Sequence, residues 1–182
     1  MPGTLRLTIL HTNDIHGRVH QLSRIATLVR QIRQDTHAGG GYCLYLDAGD
    51  AEDTSLVESA LTRGAVMNAL LRAAGCDQAA LGNAVPVRYG PQAVANLAKS
   101  FGKPLLCANM FTTEGNLVPG VTAFQIITFD ALPVAIIGFT ATMRDFYTNF
   151  FKFPTREPDE IIPSLIARVR AIGAKTIIML NH

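Results

Sequence analysis

The side chains able to hold a cation sit in four short stretches. Asp14 and His16 stand one residue apart in LRLTILHTNDIHG, Leu5 to Gly17. In an extended segment positions i and i+2 project to the same side, so a carboxylate and an imidazole converge on one point. That pair suits a divalent cation such as zinc, manganese or iron. Asp50 closes Asp47-Ala48-Gly49-Asp50, Asn83 follows Gly82, and His182 follows Asn181. Two carboxylates, two imidazoles and an amide oxygen suit a two-metal centre with one carboxylate bridging. Each piece alone is common: Asp-x-His also occurs as a turn aspartate beside a surface histidine, and DAGD as a loop whose carboxylates meet only water.

What singles these residues out is what precedes them. Leu5, Leu7 and Ile9 alternate with Arg6, Thr8 and Leu10, the period of a strand with a buried face. Leu22, Ile25, Val29 and Ile32 recur at helical steps, predicting a helix over about 20–36, ended by Gly39-Gly40-Gly41. Tyr42 to Leu46 reads as the next strand, so the chain opens as a βαβ unit with parallel strands. Ser55 to Glu58 has the form of a capping box, leading to a second helix with Val66, Leu70, Ala73 and Ala74 inward. Gln78 to Leu81 is a short strand, Pro91 opens a third helix that Gly102 stops, and Pro104 to Ala108 is a strand ending at Asn109. Every candidate ligand therefore lies just past the carboxyl end of a strand, the edge at which open α/β sheets assemble their sites.

After Phe111 the rhythm changes. Thr122–Phe129 and Leu132–Phe139 flank Asp130-Ala131 and predict a hairpin, hence a second sheet or an antiparallel addition to the first. Phe146, Tyr147, Phe150, Phe151 and Phe153 crowd one loop, read as packing over the core in preference to facing a substrate. A helix from about Pro158 carries Ile161, Ile162, Leu165, Ile166, Val169 and Ile172 inward, with acidic residues at its start and Arg168 and Arg170 near its end. Lys175 to Leu180 reads as a final buried strand.

The bulk numbers narrow the function. The 182 residues suit one domain, 1–182, and the 48% hydrophobic, 16% charged composition is that of a globular chain. A net charge of +2 and the absence of Trp argue against a nucleic-acid or anionic-membrane partner. Cys43, Cys76 and Cys107 are too dispersed for a disulfide frame or zinc knuckle and read as reduced thiols. The first strand starts within about five residues, with no leader pattern, which predicts a cytoplasmic protein without a membrane span.

Together LHTNDIHG, DAGD, GN, ANM and the strand ending in Asn181-His182 resemble the metal-dependent phosphoesterase domain of the 5′-nucleotidase family, within the calcineurin-like metallophosphatases. The resemblance covers almost the whole chain. It implies an α/β fold, a sandwich of two mixed β-sheets flanked by helices, incomplete here at the C-terminus. It implies two divalent metal ions (manganese, zinc, iron, cobalt or similar). Asp14 and His16 match ligands of the first metal, Asp50 the bridging carboxylate, and Asn83 and His182 ligands of the second. Asp47 and Asn109 match family positions and are expected to support the ligands from behind. The implied reaction is hydrolysis of phosphate monoesters, nucleotides above all, by a hydroxide held between the cations.

Two departures qualify that expectation. The family reads Gly-Asn-His-Glu-Phe-Asp at the third motif, a His that helps the leaving group and an Asp that pairs with it. Here Ala84 and Val87 stand in their places. General acid–base help is typically worth about 10²–10⁴-fold in rate, so weak activity is expected, with Arg88 as a candidate substrate contact. The family also continues past His182 to a Gly-His-x-His-type motif and, in larger members, a nucleoside-binding domain. The expectation is a fragment with an open C-terminal edge, prone to self-association. Two rival readings stand beside the hydrolase: a non-catalytic module on the same fold that binds a phosphate-bearing ligand or a protein, and a related hydrolase of sulfur or pyrophosphate esters.

Overall fold

A computed structural model describes residues 4–53 and 55–182. Strand β1 (Leu7–Thr12) pairs in parallel with β2 (Tyr42–Asp47), from Leu7 opposite Tyr42 to Thr12 opposite Asp47. Strand β3 (Gln78–Ala79) pairs in parallel with the end of β2. A parallel bridge between Ala80 and Leu106, with the Leu81 N–H donating to the Leu106 carbonyl at 2.9 Å, carries the sheet to β4 (Leu105–Leu106). There β5 (Val121–Thr122) adds a last parallel partner. Parallel sheets need cover on both faces, and β2 is buried from Cys43 to Asp47.

One face is covered by helices. Leu22 and Val29 of α1 (Val19–Ala38), Met67 and Leu71 of α3 (Ala65–Ala73), and Val94, Leu97 and Phe101 of α5 (Val94–Phe101) share a core with Tyr45 and Leu105. The other face, Leu44, Leu46, Ala80 and Leu106, packs on Phe129, Val134, Ile136 and Leu180 of a second sheet. In that sheet β6 (Phe124–Phe129) and β7 (Leu132–Phe139) form the antiparallel hairpin, turning at Asp130 with φ 51°. Strand β8 (Thr176–Asn181) joins β7 in parallel. Along β7 the inward Val134 and Ile136 alternate with Ala135, Ile137 and Phe139, which meet Ile161, Leu165 and Val169 of α7 (Pro158–Ala171). The layers run helix, sheet, sheet, helix, the fold class expected. Only the second sheet is mixed; among the described residues the first is parallel throughout.

Several local expectations are corrected. No capping box forms at Ser55–Glu58: Ser55 bonds back to Asp53, and α2 (Val57–Leu61) starts after Leu56 without a side-chain cap. Gly64, at φ 87°, then separates α2 from α3 where one helix was expected. The run 122–129 is split because the chain changes sheets at Ala123. Among the described residues the last strand has a single partner: Leu180 is buried, but Met179 is 39% exposed. The third helix begins with a 3₁₀ turn at Pro91–Ala93 and ends at Gly102 in the left-handed region, as the Pro and Gly predict. In the aromatic loop a helical turn, α6 (Arg144–Phe146), runs into a π turn at Tyr147–Phe151. Tyr147 is fully buried and Phe146, Phe151 and Phe153 pack on the helix-side core, whereas Phe150 is 74% exposed. The three cysteines are free and buried. Among the described residues no helix is long and apolar enough to cross a membrane.

Candidate metal centre

Past the end of β1 the backbone is not extended. Asp14 and His16 both lie in the left-handed region, at φ 51° and 45°, and Asp50 at 54°. Residues other than glycine are uncommon in this region, aspartate and histidine being among those that enter it more readily, and here the neighbouring loop holds all three in it. The holding contacts continue the β1–β2 pairing into the loops. The N–H groups of Asp14, His16 and Gly17 donate to the carbonyls of Gly49, Asp50 and Ala51 at 3.0, 3.1 and 3.0 Å. The two loops thus lie side by side, and convergence of Asp14 with His16 comes from kinked backbone, not from a strand's alternation. His16 Nε2 is 3.1 Å from Asp14 Oδ1, and His16 Nδ1–H donates to the Glu52 carbonyl at 3.1 Å.

Asp50 occupies the middle and is 5% exposed. Its Oδ1 accepts the Ala84 N–H at 2.9 Å, and its Oδ2 lies 3.3 Å from His182 Nε2. Burial alone would push its pKa up, but the bonds from His182 and Ala84 outweigh burial and hold it below the usual aspartate value. The same bond to Asp50 raises the pKa of His182 against the opposing pull of burial. His182 Nε2 also approaches Asn83 Oδ1 at 2.8 Å, and its backbone N–H donates to the Phe139 carbonyl at the end of β7. Donor atoms of Asp14, Asp50 and His182 all lie within 4.8 Å of one another.

Glycines make the approach feasible. A Cβ on Gly82 would stand 2.0 Å from Asp50 Oδ1, and one on Gly49 would stand 2.7 Å from the Gly82 nitrogen and 3.2 Å from His182 Cγ. The structure therefore brings all five sequence-predicted ligands to one sheet edge, His16 against Asp14, Asn83 against His182, and Asp50 against His182 and near Asp14. Oxygen and imidazole donors around a buried, readily ionised carboxylate fit a divalent cation.

The remaining candidates stand apart from this cluster. Asp47 is fully buried; its Oδ2 accepts the Thr12 hydroxyl at 2.6 Å and its Oδ1 the Gly49 N–H at 3.0 Å. Burial pushes its pKa up to about 6. Its bonds shape the loop that carries Asp50. Asn109, also fully buried, joins the two sheets. Its amide donates to the Thr140 carbonyl at 2.8 Å and accepts the Thr140 N–H at 3.0 Å, tying the end of β4 to the end of β7. Ala84 and Val87 lie on α4 (Ala84–Tyr89), and Arg88 on the same helix is exposed, with no salt bridge to any described residue. Sequence reasoning missed Thr12, Glu52, Asn68 and Thr140, whose partners lie 16 to 36 residues away.

No family model matches the sequence. It is 28% identical to a snake venom 5′-nucleotidase of Gloydius brevicauda, over 99% of this chain and 33% of the venom protein. It is 25% identical to the uncharacterised metallophosphoesterase YunD of Bacillus subtilis, over 97% of this chain and 38% of YunD. Among solved structures, the NAD nucleotidase NadN of Haemophilus influenzae superposes with a TM-score of 0.80 at 21% identity, over 97% of this chain and 34% of that one. The chain spans roughly a third of the length of the curated relatives it matches.

Proposed function

We propose that the chain is a domain of 5′-nucleotidase type, like the metallophosphoesterases it resembles along nearly its whole length, and that Asp14, His16, Asp50, Asn83 and His182 form in it a two-cation centre for hydrolysis of phosphate monoesters, with nucleotides as the substrate class. The observation that carries this reading is the convergence of these donors on one sheet edge, three of them from backbone held in the left-handed region. Three donors in a sparsely populated backbone region at one point motivate a functional reading. Bound divalent cations would supply Lewis acidity toward phosphate oxygens and lower the pKa of an attacking water.

The chain's own residues divide the work in this reading. Asp50, kept ionised by its bonds from His182 and the Ala84 N–H and aimed by the latter, would be the carboxylate that holds both cations. His182 and Asn83, already in contact, frame one position; Asp14 and His16 frame the other. No side chain at Ala84 or Val87 can donate a proton to a leaving group. Calorimetric titration with manganese tests the centre: an Asp14→Ala, Asp50→Ala double variant should lose binding that the parent shows. Equal affinity in the two would place the metal elsewhere.

A second reading is favoured by those same two residues: a module that keeps the fold and a cation but only binds its phosphate ligand. The readings part on turnover. A binding module holds an aryl phosphate in the presence of manganese without releasing phenol, whereas a hydrolase releases it.

A further inference from the structure

We propose that Glu52 and Asn68 are positioning residues for His16, which fix the direction of its ring and leave Nε2 for a cation; the role rests on reading His16 as a ligand. The His16 ring is part exposed, its side chain retaining 41% of its accessible surface, so packing alone does not fix its rotation. Its Nδ1 is 3.1 Å from the Glu52 carbonyl oxygen, an atom that only accepts, so Nδ1 carries the proton. Nε2 then faces Asp14 Oδ1 across 3.1 Å, on the side where the two side chains converge.

The carbonyl can aim the ring only if it is itself held. Residue 52 follows the DAGD turn and would be free to swing were its side chain in solvent. Instead Glu52 is 5% exposed, and its Oε1 accepts a hydrogen bond from the amide of Asn68 in α3, which is 2% exposed. Gly64 completes the seat: a Cβ there would stand 2.6 Å from Glu52 Cγ and 2.7 Å from Val85 Cγ2 of α4. Glu52 is thereby packed close against the turn before α3, which α4 meets through Val85. An apolar side chain would fill this space without a desolvation penalty. The polar pair adds direction, because a hydrogen bond between two buried groups tolerates one geometry. Partners that orient a metal-binding imidazole typically change metal affinity about 10–100-fold when removed.

The test is a double-variant cycle read by manganese calorimetry on the parent, Asn68→Ala, His16→Ala and the combination. Asn68→Ala should weaken binding about 10–100-fold in the parent background and add nothing once His16 is alanine. Unchanged affinity in Asn68→Ala overturns the role, as does an equal loss in both backgrounds, which would mean general damage to the fold. If His16→Ala itself binds as the parent does, the ligand reading fails and this role fails with it, an outcome distinct from the other two. A buried Asn→Ala change can prevent folding, so the unmutated chain is also measured, loaded with zinc. Nitrogen-detected NMR should find the His16 proton on Nδ1, and a proton on Nε2 overturns the proposal.

Discussion

At the scale of single residues the centre is defined by what each donor is bonded to. Ala84 and Val87 offer a leaving group no proton, so if the proposed hydrolase reading holds, hydrolysis should depend steeply on leaving-group acidity. With manganese present, p-nitrophenyl phosphate should be cleaved at least ~10²-fold faster than an alkyl phosphate. Equal rates across a leaving-group series would show that another residue, Arg88 or Tyr89 being the first to mutate, supplies the missing help. Protonation gives a second expectation, for the chelated, metal-free protein. Asp47 and Glu52 are pushed up by burial, to about 6 and about 7, and His182 is raised by its bond to Asp50. A raised carboxyl holds its proton longer when folded, so its contribution falls as pH climbs from the unfolded value, ~4, to the folded one. A raised histidine contributes fully below its unfolded value of ~6.5 and loses that contribution as pH passes its folded value. Asp50, lowered, contributes above ~4 and loses its share only as acid protonates it. The signs of the first three agree. Urea unfolding with chelator present should show greater stability near pH 5 than near pH 8, and His182→Gln should flatten the upper part of that slope. A stability that rises from pH 5 to 8 would contradict these shifts.

At the scale of elements the backbones of the two sheets must come into contact near the site, and a glycine allows it. Gly138 of β7 has Leu106 of β4 against it; a Cβ at 138 would be 2.3 Å from Leu106 Cβ and 2.7 Å from the Leu106 carbonyl carbon. The Ala108 N–H donates to the Gly138 carbonyl at 2.8 Å, and Asn109 then clamps Thr140 just beyond. This junction sets where β7 ends. It also sets where His182 sits, since the His182 N–H bonds to Phe139. Gly138→Ala should therefore destabilise by about 1–3 kcal/mol, the usual penalty of overpacking, and weaken manganese binding although residue 138 is not a donor. Denaturant unfolding and calorimetry on the same preparation check both. A variant destabilised in this range with unaltered metal affinity would separate the junction from the site.

At the scale of the whole molecule the second sheet has an open side. Strand β8 pairs only with β7 among the described residues, and the first sheet ends at β1. Ile9 shares the strand face of Leu7, which packs into the space between the sheets, yet it is 46% exposed, and Met179 on β8 is 39% exposed. Unpaired backbone beside exposed apolar side chains is a template for association. This 182-residue chain is expected to self-associate with rising concentration. Sedimentation velocity over a hundredfold range should show a growing dimer fraction that Ile9→Lys diminishes. A sharp monomer boundary at every concentration would count against it.

The sequence by itself determined which segments are apolar, at what period, and where each stops. That was enough for the βαβ opening, the hairpin about Asp130-Ala131, the helix over Pro158–Ala171, and the placing of Asp14, His16, Asp50, Asn83 and His182 beyond strand ends. Periodicity is a local property, so it reports faces and ends but not what a face meets. Only the tertiary structure decided that Asp14, His16 and Asp50 sit in left-handed backbone, because the bonds that hold them there run to the neighbouring loop. It alone decided the change of sheet at Ala123 and the single partner of β8 among the described residues, and it set aside the capping box at Ser55 in favour of a bond to Asp53. Asn83 and His182 touch across 99 residues, and Glu52 reaches Asn68 over 16, contacts that depend on how closely glycines let the backbone pack. Residue types announce which donors exist; the distances between them follow from the packing of layers that no single segment contains.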